Sequence, residues 1–270
     1  MVSTVVSHQI SHTIEPCLVT NYYLPVFSAN SSNSIPELIL WFFDSRGGFY
    51  FQETYPNGTG IAQPDWVDVS VVDWFNTTKT QLGKKYGNDE IPSLAFVHIP
   101  VNAMLAFQDT GVKPHKEPGI NADVPLAQQG QGNDNSYYGQ DVPFMAALLD
   151  TPGLMGVFSG HDHGDDWCFK WDTRLPGMTL KGNGLNLCFG RHTGYGGYGS
   201  WTRGARQIVV NQSTIGKSVE TYVRLEDESI SGRVMLNGTY GMFLVVTLRL
   251  LLTWNEGKDK YPKVLLTYTP

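Results

Sequence analysis

Three histidines stand directly after two apolar runs of the sequence. His98 ends the run SLAFVH, and His161 and His163 follow LMGVFSG in the stretch GVFSGHDHGDDWC. Imidazole is a favoured ligand of zinc, iron and related metals, and two histidines separated by one residue point to one side of an extended chain. The pattern predicts a metal site. The alternatives are an ordinary strand-end residue for His98 and a surface turn for the HDH stretch.

The two apolar runs must bring these histidines together. Both runs are short, and proline or glycine bounds them, which is typical of buried strands. In α/β proteins, ligands bind beyond the carboxyl ends of the strands. We therefore expect His98 and the HDH stretch at one edge of a sheet. Gly160 and Gly164 flank the HDH stretch and would let the main chain turn tightly around an ion.

The rest of the chain is rich in strand signals. Residues 65–87 have apolar side chains at helical spacing and end in Gly87, which predicts a helix. DVPFMAALLD predicts a short helix with Asp141 as its N-cap, and residues 109–140 predict a long irregular loop. The sequence therefore predicts a mixed α/β fold with packed sheets and no visible internal domain boundary. The other predicted strands are NYYLPVFS, ELILWFFDS, LNLCFG, ARQIVVN, ETYVRL and SGRVMLNGTYG.

Charge and hydropathy exclude two classes of partner. The chain has 270 residues and a formal net charge of −6. It carries no cluster of lysine and arginine, so we expect no nucleic-acid partner. The segment MFLVVTLRLLLTW at 242–254 is almost wholly apolar but too short to span a membrane, which takes about 20 residues. We expect a buried strand there and no membrane span.

Sequons and cysteines bear on the cellular compartment. The three cysteines are too few for a disulfide framework. Cys168 and Cys188 would form one bridge in an oxidising compartment or remain two buried thiols. The N-terminal stretch MVSTVVSHQISHTIEP lacks the features of a signal peptide. Asn-x-Ser/Thr sequons, which mark glycoproteins of the secretory pathway, occur at Asn30, Asn57, Asn76, Asn211 and Asn237.

Several blocks of this sequence resemble a known family. TNYYLPVFS, LWFFDSRGG, GVFSGHDHGDDWC, LCFGRHTGYGGYG and RGARQIVV occur in that order over residues 20–241, with FVHIP between the second and third. Together they resemble the purple-acid-phosphatase-like branch, of fungal and plant type, of the calcineurin-like metallophosphoesterases. The resemblance implies two packed mixed β-sheets flanked by helices. It also implies hydrolysis of a phosphomonoester, in a small molecule or a phosphoprotein, in the secretory pathway, the vacuole or outside the cell.

The resemblance also implies a dinuclear centre of iron, zinc or manganese. His98 and His161 match ligands of one metal, and His163 matches a ligand of the other. Two such ions activate a water and polarise the phosphate ester for in-line attack. Arg191 and His192 lie on a glycine-rich loop and would face the phosphate, or else form a structural turn with an exposed arginine. The acidic neighbours of the HDH stretch would bond ligand imidazoles or be solvated; they are Asp162, Asp165 and Asp166.

The other blocks of the family signature are not found in the sequence. D-x-H, G-D-x-x-D and G-N-H-[DE] supply the remaining ligands and the group that protonates the leaving oxygen, so the catalytic residues are unknown. We expect residues 1–270 to be one N-terminally incomplete domain with weak binding of a single metal and impaired activity. Residues 242–256 interrupt the family pattern as an atypical apolar insert, such as a retained intron. The alternatives are a non-catalytic remnant that serves as a binding or regulatory module, and a mononuclear zinc protein.

Overall fold

The structure is a computed structural model that describes residues 20–29, 33–87, 90–130, 136–241, 251–253 and 263–265. Its α-helices are α1 (Val69–Tyr86), α2 (Asn102–Gln108) and α3 (Val142–Leu149). Its strands are β1 (Tyr22–Phe27), β2 (Pro36–Phe43), β3 (Phe49–Thr54), β4 (Gly60–Ala62), β5 (Ser93–Val97), β6 (Leu154–Ser159), β7 (Cys168–Trp171), β8 (Leu185–Phe189), β9 (Gly204–Val209), β10 (Ser218–Leu225), β11 (Ile230–Asn237), β12 (Leu251–Thr253) and β13 (Lys263–Leu265).

A six-stranded mixed sheet forms the centre of the fold. Its strand order is β1-β2-β5-β6-β8-β7. The four inner strands run parallel, and β1 and β7 pair antiparallel at the two edges. Parallel strands that are covered on both faces read as continuous apolar runs, which is why SLAFV and LNLCF lack polar alternation. This arrangement puts the carboxyl ends of β5, β6 and β8 side by side.

Two layers cover this sheet, one on each face. On one face, Trp41 of β2 packs edge-on against Phe75 of α1, at 4.8 Å between ring centroids. On the other face, Leu94 of β5 packs in a cluster with Val219 and Leu236 of the antiparallel sheet β11-β10-β9. The predicted α/β sandwich of packed sheets with flanking helices is confirmed. The smaller sheet is antiparallel, whereas a mixed one was expected.

The predicted helix at 65–87 is present as α1, which is a few residues shorter at its start. The Asp68 side chain accepts a hydrogen bond from the Ser70 main-chain N–H at 2.9 Å and so caps the first turn. Gly87 ends the helix with a φ of 64°, a left-handed conformation that glycine adopts without strain. The buried face includes Val71, Phe75 and Leu82 at helical spacing.

The predicted N-cap position of α3, Asp141, is confirmed, but its side chain bonds elsewhere. Asp141 precedes α3, but its side chain makes no capping bond to that helix. One carboxylate oxygen instead accepts the main-chain N–H of Asn102, the first residue of α2, at 2.7 Å. The other oxygen accepts the Tyr137 hydroxyl at 2.6 Å. Asp141 therefore joins the starts of two helices.

Strands β7 and β8 are joined covalently as well as by main-chain pairing. Cys168 and Cys188 stand opposite each other in the antiparallel ladder and form a disulfide. Of the two alternatives for these cysteines, the structure has the bridge. Both sulfur-bearing residues are fully buried.

Residues 241–270 form a separate unit. Within this unit, the structure describes a two-stranded sheet of β12 and β13. The predicted strand and insert within residues 242–256 lie outside the described residues, except for β12. The predicted loop at 109–140 contains no helix or ladder strand in its described part. Among all described residues, no helix is long and apolar enough to cross a membrane.

Candidate metal centre

The first two predicted ligands come together at the expected edge of the sheet. β5 and β6 are parallel neighbours, and their last residues, Val97 and Ser159, are paired in register. His98 follows β5 directly, and the Gly160 N–H donates to the His98 carbonyl at 3.0 Å. A Cβ on Gly160 would lie 3.2 Å from His98 Nδ1, so glycine allows this close approach. The next residue, His161, has a left-handed φ of 74°, which is uncommon outside glycine.

The two imidazoles lie at a distance that suits a shared ion. His98 Nε2 and His161 Nδ1 are 3.4 Å apart. Two nitrogens bound to one tetrahedral ion at about 2.0–2.1 Å each are about 3.3–3.4 Å apart. The same distance also permits one ring to donate a hydrogen bond to the other. Loss of hydration lowers the pKa of both histidines, and neighbouring imidazoles lower it further, although Asp123 opposes this for His161. The lowered pKa favours the neutral ring, which is the form that binds a metal.

His163 is held by a different set of contacts. Its Nδ1 lies 2.8 Å from the Tyr198 main-chain carbonyl, an acceptor that requires a proton on Nδ1. In the neutral ring, this proton on Nδ1 puts the lone pair on Nε2. The ring stacks between Tyr198, at 4.2 Å, and His192, at 4.8 Å. The Tyr198 hydroxyl also accepts the His163 main-chain N–H at 3.1 Å.

Arg191 and His192 follow the carboxyl end of β8 but face inward. The Arg191 side chain is only 4% exposed. Its guanidinium forms an ion pair with Asp166 at 2.7 Å and donates to the Thr202 carbonyl at 2.6 Å. These bonds hold the loop in place. The alternative drawn from the sequence was a structural turn with an exposed arginine, whereas this arginine is buried. Burial lowers the pKa of His192, whose Nδ1 lies 3.1 Å from the His163 carbonyl. A phosphate-binding role for Arg191 and His192 stays a prediction.

The aspartates of the HDHGDD stretch occupy neither of their expected environments. All three are buried. Their carboxylates accept main-chain N–H groups from the loop 120–127: Asp162 from Ala127, and Asp165 from Ala122. Burial raises the pKa of Asp162 and that of Asp165 to about 7. These carboxylates therefore fasten the long loop beneath the histidines.

The donor set does not fit a two-metal centre. Among the described residues, no group of three or more histidine, cysteine, aspartate or glutamate side chains is arranged to hold a metal ion. His192 Nε2 and Asp162 Oδ2 are buried and have no hydrogen-bond partner in the described structure. The described side chains fit at most one ion shared by His98 and His161.

Sequence reasoning missed the residues that hold this edge in place. Tyr198 donates to Asp123 and fixes the main chain at His163, and Gln108 binds Asp165 at 3.3 Å. The only sequence signal for Tyr198 was an aromatic residue within the glycine-rich loop that follows His192. Asp123 and Gln108 had no signal, because their role depends on long-range packing.

Three curated relatives show what the chain is similar to. Probable inactive purple acid phosphatase 29 of Arabidopsis thaliana is 32% identical to this chain over 228 residues. The alignment covers 78% of this chain and 50% of that protein. The chain is similar to purple acid phosphatases. The resemblance predicted from the sequence blocks, to the purple-acid-phosphatase-like branch of the metallophosphoesterases, is confirmed.

Two other purple acid phosphatases from the same plant agree. Probable inactive purple acid phosphatase 14 is 27% identical over 232 residues, 78% of this chain and 49% of that protein. Probable inactive purple acid phosphatase 28 is 26% identical over 224 residues, 78% of this chain and 47% of that protein. The chain thus spans about half the length of the purple acid phosphatases it matches. No protein-family model matches it.

Proposed function

We propose that this chain carries the histidine part of a metal-dependent phosphoesterase site and is impaired as a hydrolase. In this proposal, His98 and His161 bind one divalent ion weakly, and His163, which matches a ligand of the second ion in the resemblance, has too few described partner ligands to hold that ion. The observation that carries the proposal is the 3.4 Å separation of His98 Nε2 and His161 Nδ1 at the carboxyl ends of two parallel strands.

The donor count supports impairment. Two neutral imidazoles leave at least two positions of a tetrahedral ion to water. Among the described residues, no carboxylate joins the histidine pair in a group of three potential ligands. The relatives' names, which call each of them a probable inactive phosphatase, agree with this proposal.

The family resemblance supports the substrate class and the compartment. We infer that the substrate of an intact site is a phosphomonoester, in a small molecule or a phosphoprotein, with Arg191 and His192 as the nearest candidates to meet it. We infer location in the secretory pathway, the vacuole or outside the cell. The disulfide in β7–β8 agrees with an oxidising compartment.

Metal titration and a hydrolysis assay on the full chain test the proposal. Zinc binding followed by calorimetry is expected to reach one ion per chain, and His98→Gln or His161→Gln should weaken it at least tenfold. His115→Gln is the matched control, because His115 is exposed and lies on the loop outside the pair. Hydrolysis of p-nitrophenyl phosphate should not respond to a chelator.

Two results would contradict separate parts of the proposal. Chelator-sensitive turnover by the unmodified chain would show that the activity is intact. Unchanged zinc affinity in both histidine variants would remove the metal site and favour the alternative, a non-catalytic module with a binding or regulatory surface.

A further inference from the structure

The hairpin β3–β4 exposes aromatic side chains that the proposed function does not use. Phe49 is 65% exposed, Phe51 is 85% exposed and Tyr55 is 53% exposed. All six residues of β3 are exposed. Exposed aromatic groups on a short hairpin need a partner or a cover to avoid association.

The turn of this hairpin contains the sequon Asn57-Gly58-Thr59. The Gly58 N–H donates to the Tyr55 carbonyl at 2.8 Å, and the Tyr55 N–H donates to the Thr59 carbonyl at 2.7 Å. Gly58 has a φ of 82°. Proline at the second turn position and a left-handed glycine at the fourth are typical of a type I turn followed by a glycine bulge.

This turn fixes the sequon asparagine two residues after Tyr55. The Asn57 side-chain oxygen accepts the Thr59 N–H at 3.0 Å. Thr59 is in turn bonded across the hairpin to Tyr55, so the three residues are held close together. The amide oxygen is therefore occupied, and Asn57 is exposed to solvent. The amide nitrogen is the group available for modification.

We propose that Asn57 is an N-glycosylation site and that its first sugar packs against the ring of Tyr55. The C–H groups of a pyranose face are a suitable surface for the π face of tyrosine, which offers an apolar body with a polar tip. The sugar would cover part of the exposed aromatic surface of the hairpin. This inference is independent of any metal at the histidines.

The modification is a group transfer from a lipid-linked oligosaccharide pyrophosphate. Asn57 Nδ2 forms a bond to the anomeric carbon of the donor sugar. The bond from that carbon to the pyrophosphate oxygen breaks, and its electron pair leaves with the lipid pyrophosphate. The amide nitrogen loses one proton, which passes to the leaving pyrophosphate or to water, so the product is a neutral N-glycosidic amide.

A second sequon shows why the turn matters. Trp74 also stands two residues before a sequon asparagine, Asn76, but both lie within α1. Residues i and i+2 of a helix do not share a face. Trp74 packs edge-on against Trp41 at 6.2 Å and Phe43 at 6.4 Å. Trp74 is therefore half-buried against these rings, on a different face of the helix from Asn76.

Translation of the full chain, behind a cleavable secretion signal, into endoplasmic-reticulum microsomes tests the site. Asn57→Gln and Thr59→Ala should each carry one glycan fewer than the unmodified chain. The difference is read as a mobility shift on a gel that endoglycosidase treatment abolishes. Thr59→Ser, the matched control, should keep it because serine completes the sequon. Equal glycan numbers in Asn57→Gln and the unmodified chain would overturn the proposal, and this readout does not require a soluble product.

NMR of the secreted protein tests the packing. The N-acetyl protons of the first sugar on Asn57 should shift upfield under the Tyr55 ring current. Tyr55→Leu should remove that shift, whereas Trp74→Leu should leave it unchanged. A glycan whose N-acetyl shift is the same with and without Tyr55 would overturn the contact with the ring.

Discussion

At the scale of single residues, Asp166 connects four segments of the chain. Its carboxylate accepts from Arg191, from the Ile120 N–H at 2.6 Å and from the Ser231 hydroxyl at 3.1 Å. Its main-chain carbonyl accepts from Arg206 at 2.6 Å. The Asp166 side chain is fully buried. Asp166→Asn leaves a buried guanidinium without its anion, so we expect the free energy of unfolding to fall by about 3–5 kcal/mol, measured by urea denaturation.

An exposed ion pair supplies the control for that prediction. Arg233 and Glu220 are 2.7 Å apart, but their side chains are 52% and 32% exposed. Water screens such a pair, and Glu220→Gln should change stability by about 1 kcal/mol or less. Similar losses for Asp166→Asn and Glu220→Gln would mean that the buried pair does not hold these segments together.

The histidines and the arginine differ in how far sequence alone could place them. His98 follows β5 directly and His161 follows β6 after one glycine, so strand order determines the edge at which they lie. Arg191 also follows a strand, but its side chain turns inward to an aspartate 25 residues earlier. Local spacing carries no signal for such a pairing. The three buried aspartates were misjudged for the same reason, since their partners lie on a distant loop.

At the scale of elements, Asp141 makes the junction of α2 and α3 sensitive to pH. Burial raises its pKa to about 6, although bonds from Asn102 and Tyr137 oppose that shift. The folded state therefore binds the proton more tightly than the unfolded chain, whose aspartates titrate near 3.9. This group stabilises the fold below about pH 4, and its contribution is lost as the pH rises through about 6.

Asp141→Asn tests this coupling. Urea denaturation at pH 4.5 and pH 7 gives the change in the free energy of unfolding for each protein. The unmodified chain should lose about 2 kcal/mol more than the variant between these two values. Asp150→Asn, at the other end of α3, is the matched control and should keep the original pH dependence. An identical pH dependence in Asp141→Asn and the unmodified chain would contradict the role of this carboxyl.

The elements found from sequence are those with long or continuous apolar patterns. Helix α1 and the inner strands were predicted because their periodicity is set by burial on one or two faces. The short helix α2 and strand β7 were missed. α2 is 7 residues long and β7 is 4, so neither completes enough periods to stand out. Their conformation depends on the packing of neighbouring elements.

At the scale of the whole molecule, the disulfide determines the conditions under which the fold is stable. Cys168 and Cys188 enclose a loop with a sequence separation of 20 at the edge strand of the main sheet. Closing such a loop in the unfolded chain is worth about 3 kcal/mol. A domain has a total stability of about 5–15 kcal/mol, so the bridge is a large share.

We expect dithiothreitol to lower the free energy of unfolding of this chain by about 3 kcal/mol in urea. The double variant Cys168→Ala/Cys188→Ala should be destabilised at least as much, because it also loses buried atoms, and it should not respond to dithiothreitol. A chain equally stable with and without the reductant would mean that β7 is held by its ladder alone. In that case the bridge would give no reason to favour an oxidising compartment over a reducing one.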